Sequence, residues 1–152
     1  MALQTGDTAP AFTLPDQNGD AVSLASFKGQ RVVIYFYPKD DTPGCTMEAC
    51  AFRDSYADLQ AMGAEVWGVS GDDAASHQRF AQRHNLPYPL LVDKGNQLRK
   101  AFGVPAVLGL LPGRVTYVID ADGVIRHVFN NLLDGPAHRR EAIEALKALQ
   151  QP

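Results

Sequence analysis

The sequence lacks both long apolar runs and clusters of basic residues. No stretch approaches the roughly 18 consecutive apolar residues of a membrane helix, and residues 1–10 lack the charged and apolar regions of a secretory signal peptide. The 14 Lys and Arg and 17 Asp and Glu give a net charge of −3, and the basic residues are scattered. We therefore expect a cytoplasmic protein that binds neither membranes nor nucleic acid.

Cysteine is also scarce, because only Cys45 and Cys50 occur among 152 residues. This count excludes the disulfide-rich scaffold of small secreted domains, and a chain of this length can bury enough surface to fold without cross-links. At about 150 residues per domain, residues 1–152 are expected to form a single domain. Both cysteines are then free for chemistry, and any disulfide between them is expected to be transient.

Signatures of metal and nucleotide binding are missing as well. Neither the G-x-G-x-x-G pattern nor the P-loop pattern occurs, so no nucleotide cofactor is indicated. The four histidines lack metal-ligand spacing to the cysteines or to clustered carboxylates, and are expected to be surface or structural residues: His77, His84, His127 and His138. We expect no metal and no cofactor.

The apolar residues that are present alternate between strand-like and helix-like patterns. Strands are predicted in a hairpin at 12–24, at 31–37, 65–70 and 89–92, and in a second hairpin at 115–119 and 124–129. Helices are predicted at 45–62, 72–84, 97–102 and 139–149. Because parallel crossovers place helices on the faces of a sheet, this order predicts an α/β fold, with a mixed central sheet covered on both faces and an N-terminal β-hairpin. Such an architecture is compatible with a thioredoxin-like fold.

Cys45 follows a loop rich in proline and glycine and lies at the start of a predicted helix. Residues 35–50 read YFYPKDDTPGCTMEAC. A helix N-terminus carries about half a positive charge and unpaired N–H groups, which together stabilise a thiolate. Most free cysteines are small buried apolar residues, but this position makes Cys45 a candidate nucleophile.

The spacing of the two cysteines constrains any disulfide between them. Residues five apart in a continuous α-helix have Cα atoms about 8.7 Å apart, and a disulfide tolerates at most roughly 7 Å. If Cys45 and Cys50 pair, the first turns of the helix must therefore unwind.

The same segment resembles the peroxiredoxins. Pro38, Thr42 and Cys45 fit the P-x-x-x-T-x-x-C signature of that family, and residues 38–50 are similar to its bacterioferritin comigratory protein, or peroxiredoxin Q, subfamily. The resemblance extends over nearly the whole chain and includes RVTYVID at 114–120. It implies a thioredoxin-like fold and a thiol peroxidase that reduces hydrogen peroxide and organic hydroperoxides.

The resemblance also implies how the two cysteines are used. Cys45 would attack the peroxide and become a sulfenic acid, and Cys50 would resolve it by forming a disulfide. Thioredoxin, or a glutaredoxin-type reductant, would reopen that disulfide by thiol exchange.

Four further residues match positions with family roles. Thr42 would hydrogen-bond the thiolate and the peroxide, and Pro38 would shield the sulfur from water. Arg114 would stabilise the thiolate and orient the peroxide with its rigid set of donors. Glu48, three residues after Cys45, would position the arginine; the alternative is a solvated carboxylate near the helix N-terminus.

One segment departs from the expected subfamily pattern. Ala101–Leu111 reads AFGVPAVLGLL and is more apolar than the polar stretch expected before the arginine. The simplest interpretation is a buried loop; if exposed, it would line the mouth of the active site or form a dimer contact. We expect a monomer, with a weak homodimer through this segment as the alternative.

Two other functions stay open at this point. A protein-disulfide oxidoreductase is disfavoured, because such sites use C-x-x-C whereas four residues separate these cysteines. A redox-sensing or chaperone-like binding module, in which oxidation unfolds the helix and exposes apolar surface, shares every motif with the enzyme. Turnover with a reductant separates the two, since a sensor is oxidised only stoichiometrically.

Overall fold

The computed structural model describes residues 2–27, 29–106 and 113–150 of the chain. In chain order the strands are β1 (Thr13–Pro15), β2 (Ala21–Ser23), β3 (Arg31–Phe36), β4 (Ala64–Ser70), β5 (Leu90–Val92), β6 (Val115–Ile119) and β7 (Ile125–Asn130). The α-helices are α1 (Pro43–Asp54), α2 (Tyr56–Ala61), α3 (Ala74–His84), α4 (Gln97–Phe102) and α5 (Gly135–Gln150). Short 3₁₀ helices cover Leu24–Phe27 and Lys94–Asn96. Among the described helices, none has the length and apolar character needed to cross a membrane.

A five-stranded mixed sheet in the order β5-β4-β3-β6-β7 forms the centre of the fold. The β3–β4 and β4–β5 pairs are parallel, whereas β3–β6 and β6–β7 are antiparallel. The β1–β2 hairpin forms a separate two-stranded sheet. The predicted mixed sheet and N-terminal hairpin are confirmed.

The central strand β3 is buried on both faces, as its run of β-branched and aromatic residues predicts. Val33 and Tyr35 pack into a hydrophobic cluster with α1, α2, α3 and α5, which cover one face. Val32 and Ile34 pack into a second cluster with α4 and the N-terminal hairpin on the other face. Helices therefore lie on both faces, and the thioredoxin-like α/β/α prediction is confirmed.

The helix predicted over residues 45–62 is wrong in its boundaries. Helix α1 begins at Pro43, because a proline in the first turn loses no hydrogen bond that the helix would otherwise make. It ends at Asp54, since Ser55 leaves helical geometry with φ −106° and ψ 6°, and α2 follows. Arg139 of α5 donates to the Ser55 hydroxyl at 3.0 Å, so a tertiary contact lies at the break.

The apolar segment Ala101–Leu111 is only partly described. Phe102 is buried at the end of α4, which agrees with a buried interpretation for the start of the segment. Residues 107–112, including Leu108 and Leu111, lie outside the described residues. A role in the site mouth or in a dimer therefore stays a prediction.

Candidate active site

Cys45 lies in the first turn of α1, beside the carboxyl end of β3. Its side chain is buried, with 1% of its surface exposed. The backbone N–H groups of a first helical turn have no partner within the helix, so they point toward whatever lies at that end. Arg114 Nη2 donates to Cys45 Sγ at 3.4 Å. A fixed cation thus contacts the sulfur of a residue in the first turn of a helix, an arrangement that in general stabilises negative charge.

Sheet register brings Arg114 to this cysteine. Phe36, the last residue of β3, pairs with Val115, the first residue of β6. Arg114 immediately precedes Val115, so it lies at the edge of the sheet where β3 ends and the chain turns toward α1. The antiparallel pairing therefore brings Arg114 into contact with Cys45, although the two residues are 69 positions apart in the sequence.

Three contacts hold the Arg114 guanidinium in one orientation. Nε donates to Leu132 O at 2.9 Å, Nη1 donates to Glu48 Oε1 at 2.6 Å, and Nη2 reaches Cys45. Burial lowers the pKa of Arg114, but the charges and hydrogen bonds of Glu48 and Cys45 outweigh it and raise the pKa above its usual value. The guanidinium is therefore a permanent and rigidly held cation.

Two glycines allow the helices to approach this closely. A Cβ on Gly44 would lie 3.0 Å from Arg114 Nη2. A Cβ on Gly135, the first residue of α5, would lie 2.7 Å from Gly44 O and 2.9 Å from Glu48 Cβ. A larger residue at either position would displace α5 or the guanidinium.

Glu48 is fully buried and faces two groups. Burial raises the pKa of Glu48 to about 8, although the charge and hydrogen bond of Arg114 act in the opposite direction. Its Oε1 binds Arg114, while Oε2 has no hydrogen-bond partner among the described residues and lies 3.5 Å from His138 Nδ1. The alternative of a solvated carboxylate is therefore wrong, because the side chain points inward.

Pro38 and Thr42 lie on the loop that connects β3 to α1, and both are partly buried. The Thr42 hydroxyl donates to Lys39 O at 2.9 Å. Its proton is thus committed to the backbone, and its lone pairs are free to accept. To donate to a thiolate, as the family role requires, the hydroxyl must exchange this bond.

Asp40 clamps that loop to α3. Its carboxylate accepts hydrogen bonds from Tyr37 at 2.6 Å and Ser76 at 2.8 Å, and it contacts His77 Nδ1 at 2.6 Å. Burial lowers the pKa of His77, but the hydrogen bond and charge of Asp40 outweigh it and raise the pKa. Asp40, Asp72 and His77 have atoms that could bind a metal ion, and these atoms lie within 4.8 Å of one another. The carboxylates of Asp40 and Asp72 already accept protein hydrogen bonds, so we interpret the cluster as one that holds the loop in place.

Cys50 is half-buried further along α1. Both cysteines belong to one uninterrupted helix, whose geometry puts their Cα atoms about 8.7 Å apart. The middle of the helix is anchored, because Tyr88 donates to Ala49 O at 2.8 Å and Tyr35 bonds Tyr88 at 2.7 Å. The structure therefore places the cysteines near each other without permitting a disulfide in this conformation.

Sequence reasoning missed two buried polar residues at the site. Arg99 of α4 donates to Tyr37 O and Gly113 O, both at 2.7 Å, and thereby ties the backbone that follows β3 to the residue before Arg114. His138 was expected to be a surface or structural residue, and it lies beside Glu48. No local pattern marks either residue, since their contacts are distant in sequence.

Comparison with known proteins agrees with this geometry. Residues 5–128 match the model of the AhpC/TSA family. The chain belongs to that family. It is 56% identical over 148 residues to a chloroplastic peroxiredoxin Q of Oryza sativa subsp. japonica, which covers 97% of this chain and 68% of the relative.

Two solved bacterial structures show the same fold. Peroxidoxin BcpB of Mycobacterium tuberculosis is 37% identical with a TM-score of 0.90, covering 98% of this chain and 99% of that one. The bacterioferritin comigratory protein of Xanthomonas campestris is 29% identical with a TM-score of 0.84, covering 92% of each chain. The predicted family and thiol peroxidase activity are thereby confirmed.

The predicted cytoplasmic location is wrong by this comparison. The relatives from Oryza sativa, Suaeda salsa and Arabidopsis thaliana are all named as chloroplastic proteins. The lack of a secretory signal does not distinguish the cytoplasm from a plastid.

Proposed function

We propose that Cys45 is the residue with which this peroxiredoxin attacks peroxides, and that Arg114 and Glu48 hold it ready. The observation that carries this assignment is the 3.4 Å contact from Arg114 Nη2 to a buried sulfur at a helix N-terminus. Glu48, bound to Nη1 at 2.6 Å, fixes the guanidinium in the plane that reaches the sulfur.

The first step is a nucleophilic displacement on oxygen. The Cys45 thiolate donates an electron pair to one peroxide oxygen, the O–O bond breaks, and a sulfenic acid forms. The second oxygen leaves as water or an alcohol after it takes up a proton. Negative charge moves from sulfur to the leaving oxygen, and Arg114 lies where it can stabilise that charge throughout the step.

The second step uses Cys50. Its thiol attacks the Cys45 sulfenic acid, an S–S bond forms, and water leaves. A thioredoxin-type dithiol then reduces the disulfide to two thiols and is itself oxidised to a disulfide. The free, half-buried state of Cys50 supports this role.

Thr42 and Pro38 complete the proposed site. Their loop is clamped at Asp40, so their positions beside the start of α1 are defined. Thr42 accepts a hydrogen bond from the peroxide through its free lone pairs, and Pro38 limits access of water to the sulfur.

The proposed substrates are hydrogen peroxide and organic hydroperoxides. The Xanthomonas campestris relative was studied for alkyl peroxide reduction, which supports the organic class. We further propose that residues 1–152 act as one domain and as a monomer. Helix α5, at the C-terminal end of the chain, packs against α1 and β6 and completes the site that is built on α1. This packing supports one domain.

The first experiment measures intact mass and free thiols after one equivalent of hydrogen peroxide. We expect rapid loss of both thiols, the mass of one intramolecular disulfide, and recovery of both thiols with reduced thioredoxin. A slow, stoichiometric oxidation that thioredoxin does not reverse would favour the redox-sensing module over the peroxidase.

Formation of the Cys45–Cys50 disulfide is expected to unwind the first turns of α1. The geometric reason is the Cα separation of about 8.7 Å in the intact helix, which exceeds the roughly 7 Å limit. Hydrogen exchange should show loss of amide protection at residues 46–52 on oxidation, with unchanged protection in α3 as the internal control. A disulfide-bonded protein with full protection in α1 would contradict this expectation.

A further inference from the structure

His138 is a buried side chain beside the proposed site with no role yet assigned. It lies in the first turn of α5 and has no exposed surface. Its Nε2 lies 2.7 Å from Asn131 O, and its Nδ1 lies 2.7 Å from Thr116 Oγ1. The same Nδ1 lies 3.5 Å from Glu48 Oε2, the carboxylate oxygen with no hydrogen-bond partner among the described residues.

The hydrogen-bond partners determine which ring nitrogen carries a proton. A backbone carbonyl can only accept, so Nε2 donates to Asn131 O. In a neutral imidazole Nδ1 is then a lone pair, which accepts from the Thr116 hydroxyl. If Glu48 is ionised, its Oε2 is a hydrogen-bond acceptor that faces another acceptor, the Nδ1 lone pair. Oε2 would then be buried without a donor. One additional proton held by the pair removes this conflict. On Oε2 it neutralises the carboxylate, and on Nδ1 it gives Oε2 a donor at 3.5 Å while the Thr116 hydroxyl turns to accept.

We propose that Glu48 Oε2 and His138 Nδ1 share one proton, and that His138 is thereby a positioning residue for the pair formed by Arg114 and Cys45. This inference rests on the proposed function of Cys45.

The charges of the site are balanced while that proton is present. Arg114 contributes one positive charge and the Cys45 thiolate one negative charge, and the Glu48–His138 pair with its proton is neutral. Loss of the proton leaves a buried carboxylate that competes with the thiolate for Arg114. Because burial makes an uncompensated charge costly, Cys45 should react fastest while the pair keeps its proton.

The environment of both groups supports retention of one proton near neutrality. Burial raises the pKa of Glu48 to about 8 and lowers that of His138 to about 4. The charged or titratable groups that act on the two residues come from β3, from the residues just before β5, β6 and α5, and from α5 itself: Tyr35, Tyr88, Arg114, Asp134 and Glu141.

His138 also holds backbone near Arg114, and the test must separate this from proton sharing. Its Nε2 contacts Asn131 O, and the next residue, Leu132, accepts the Arg114 Nε hydrogen bond. In His138→Gln the side-chain amide reaches the Nε2 position, so the contact with Asn131 is retained while the nitrogen facing Glu48 is lost. A structural role through Asn131 would therefore survive this substitution, and the bond to Thr116 is removed separately by Thr116→Val as a control.

The experiment measures the second-order rate constant of Cys45 oxidation by hydrogen peroxide from about pH 5 to about pH 10. In the unaltered protein the rate should fall through about pH 8, where the pair loses its proton. In His138→Gln we expect a rate about tenfold lower at neutral pH and no fall centred there. A folded His138→Gln variant with the unaltered pH profile would overturn the proposal.

A matched control is available on the same helix. His127 and Glu141 form another histidine–carboxylate pair between β7 and α5, with Nε2–Oε1 at 2.9 Å, and both side chains are partly exposed. His127→Gln should leave the pH profile of Cys45 oxidation unchanged. If His127→Gln changes the profile as His138→Gln does, the effect belongs to α5 packing and the proposal fails.

If His138→Gln does not fold, ¹⁵N NMR of the His138 ring in the unaltered protein tests whether the pair shares a proton. The Nδ1 resonance of His138 should shift with a midpoint near the high-pH limb of the rate profile, while Nε2 stays protonated. A constant Nδ1 resonance over that pH range would overturn the proposal. Failure of the proposed function has a different signature, since Cys45 would then resist oxidation in the unaltered protein at every pH.

Discussion

Cys45→Ser is expected to abolish peroxide reduction completely, with loss of the whole catalysed rate. A serine hydroxyl stays protonated where a thiol near a cation ionises, so Arg114 would face a neutral and weakly nucleophilic oxygen. The measurement is steady-state peroxide consumption with thioredoxin and its reductase in excess. Because Cys45 and Ser differ little in volume, the variant should keep the unfolding transition of the unaltered protein.

Cys50→Ser is the matched control for that substitution. It removes the other thiol from the same helix and leaves the Arg114–Cys45 contact intact. We expect one fast oxidation per chain, a sulfenic acid that a dione reagent traps, and no recycling by thioredoxin. Full thioredoxin-linked turnover of Cys50→Ser would show that another reductive route operates and would remove the intramolecular disulfide from the mechanism.

Arg114→Ala is expected to slow Cys45 oxidation by about 100-fold or more, the usual effect of removing one preorganised donor from a site of developing charge. The variant loses the cation at 3.4 Å from the sulfur, so the negative charge that moves from the sulfur to the departing oxygen is no longer stabilised. The measurement is the rate constant with hydrogen peroxide at several pH values. A rate within about threefold of the unaltered protein would contradict the role assigned to Arg114.

The same substitution leaves Glu48 buried without its cation, so stability must be separated from chemistry. Glu48→Gln keeps the shape of the side chain but cannot ionise, so the double variant Arg114→Ala with Glu48→Gln should be at least as stable as Arg114→Ala while its activity stays low. Arg126→Ala is the surface control, since Arg126 pairs with Asp120 at 2.6 Å and is half-exposed. It should change neither rate nor pH profile.

Local sequence patterns predicted most of the secondary structure, for reasons visible in particular elements. The run Arg31–Phe36 is apolar at every position except its first, and a strand buried on both faces has that composition. The hairpin between β6 and β7 follows from its Asp-Gly turn, in which Gly123 has φ +82°. The break at Ser55 escaped prediction, because it coincides with a contact to Arg139 that lies 84 residues away.

The sequence alone pointed to the family and to Cys45 as the proposed nucleophile, because the residues from Pro38 to Cys50 are contiguous and carry the family motif. It also pointed to Arg114 and Glu48, but only through resemblance. Tertiary structure decided how those residues meet. The Phe36–Val115 register brings Arg114 to the end of β3, and the close contact of Gly135 with α1 brings His138 beside Glu48. Burial then decided the ionisation of Glu48 and His138, since the cost of a buried charge depends on the surroundings in space and not on neighbours along the chain.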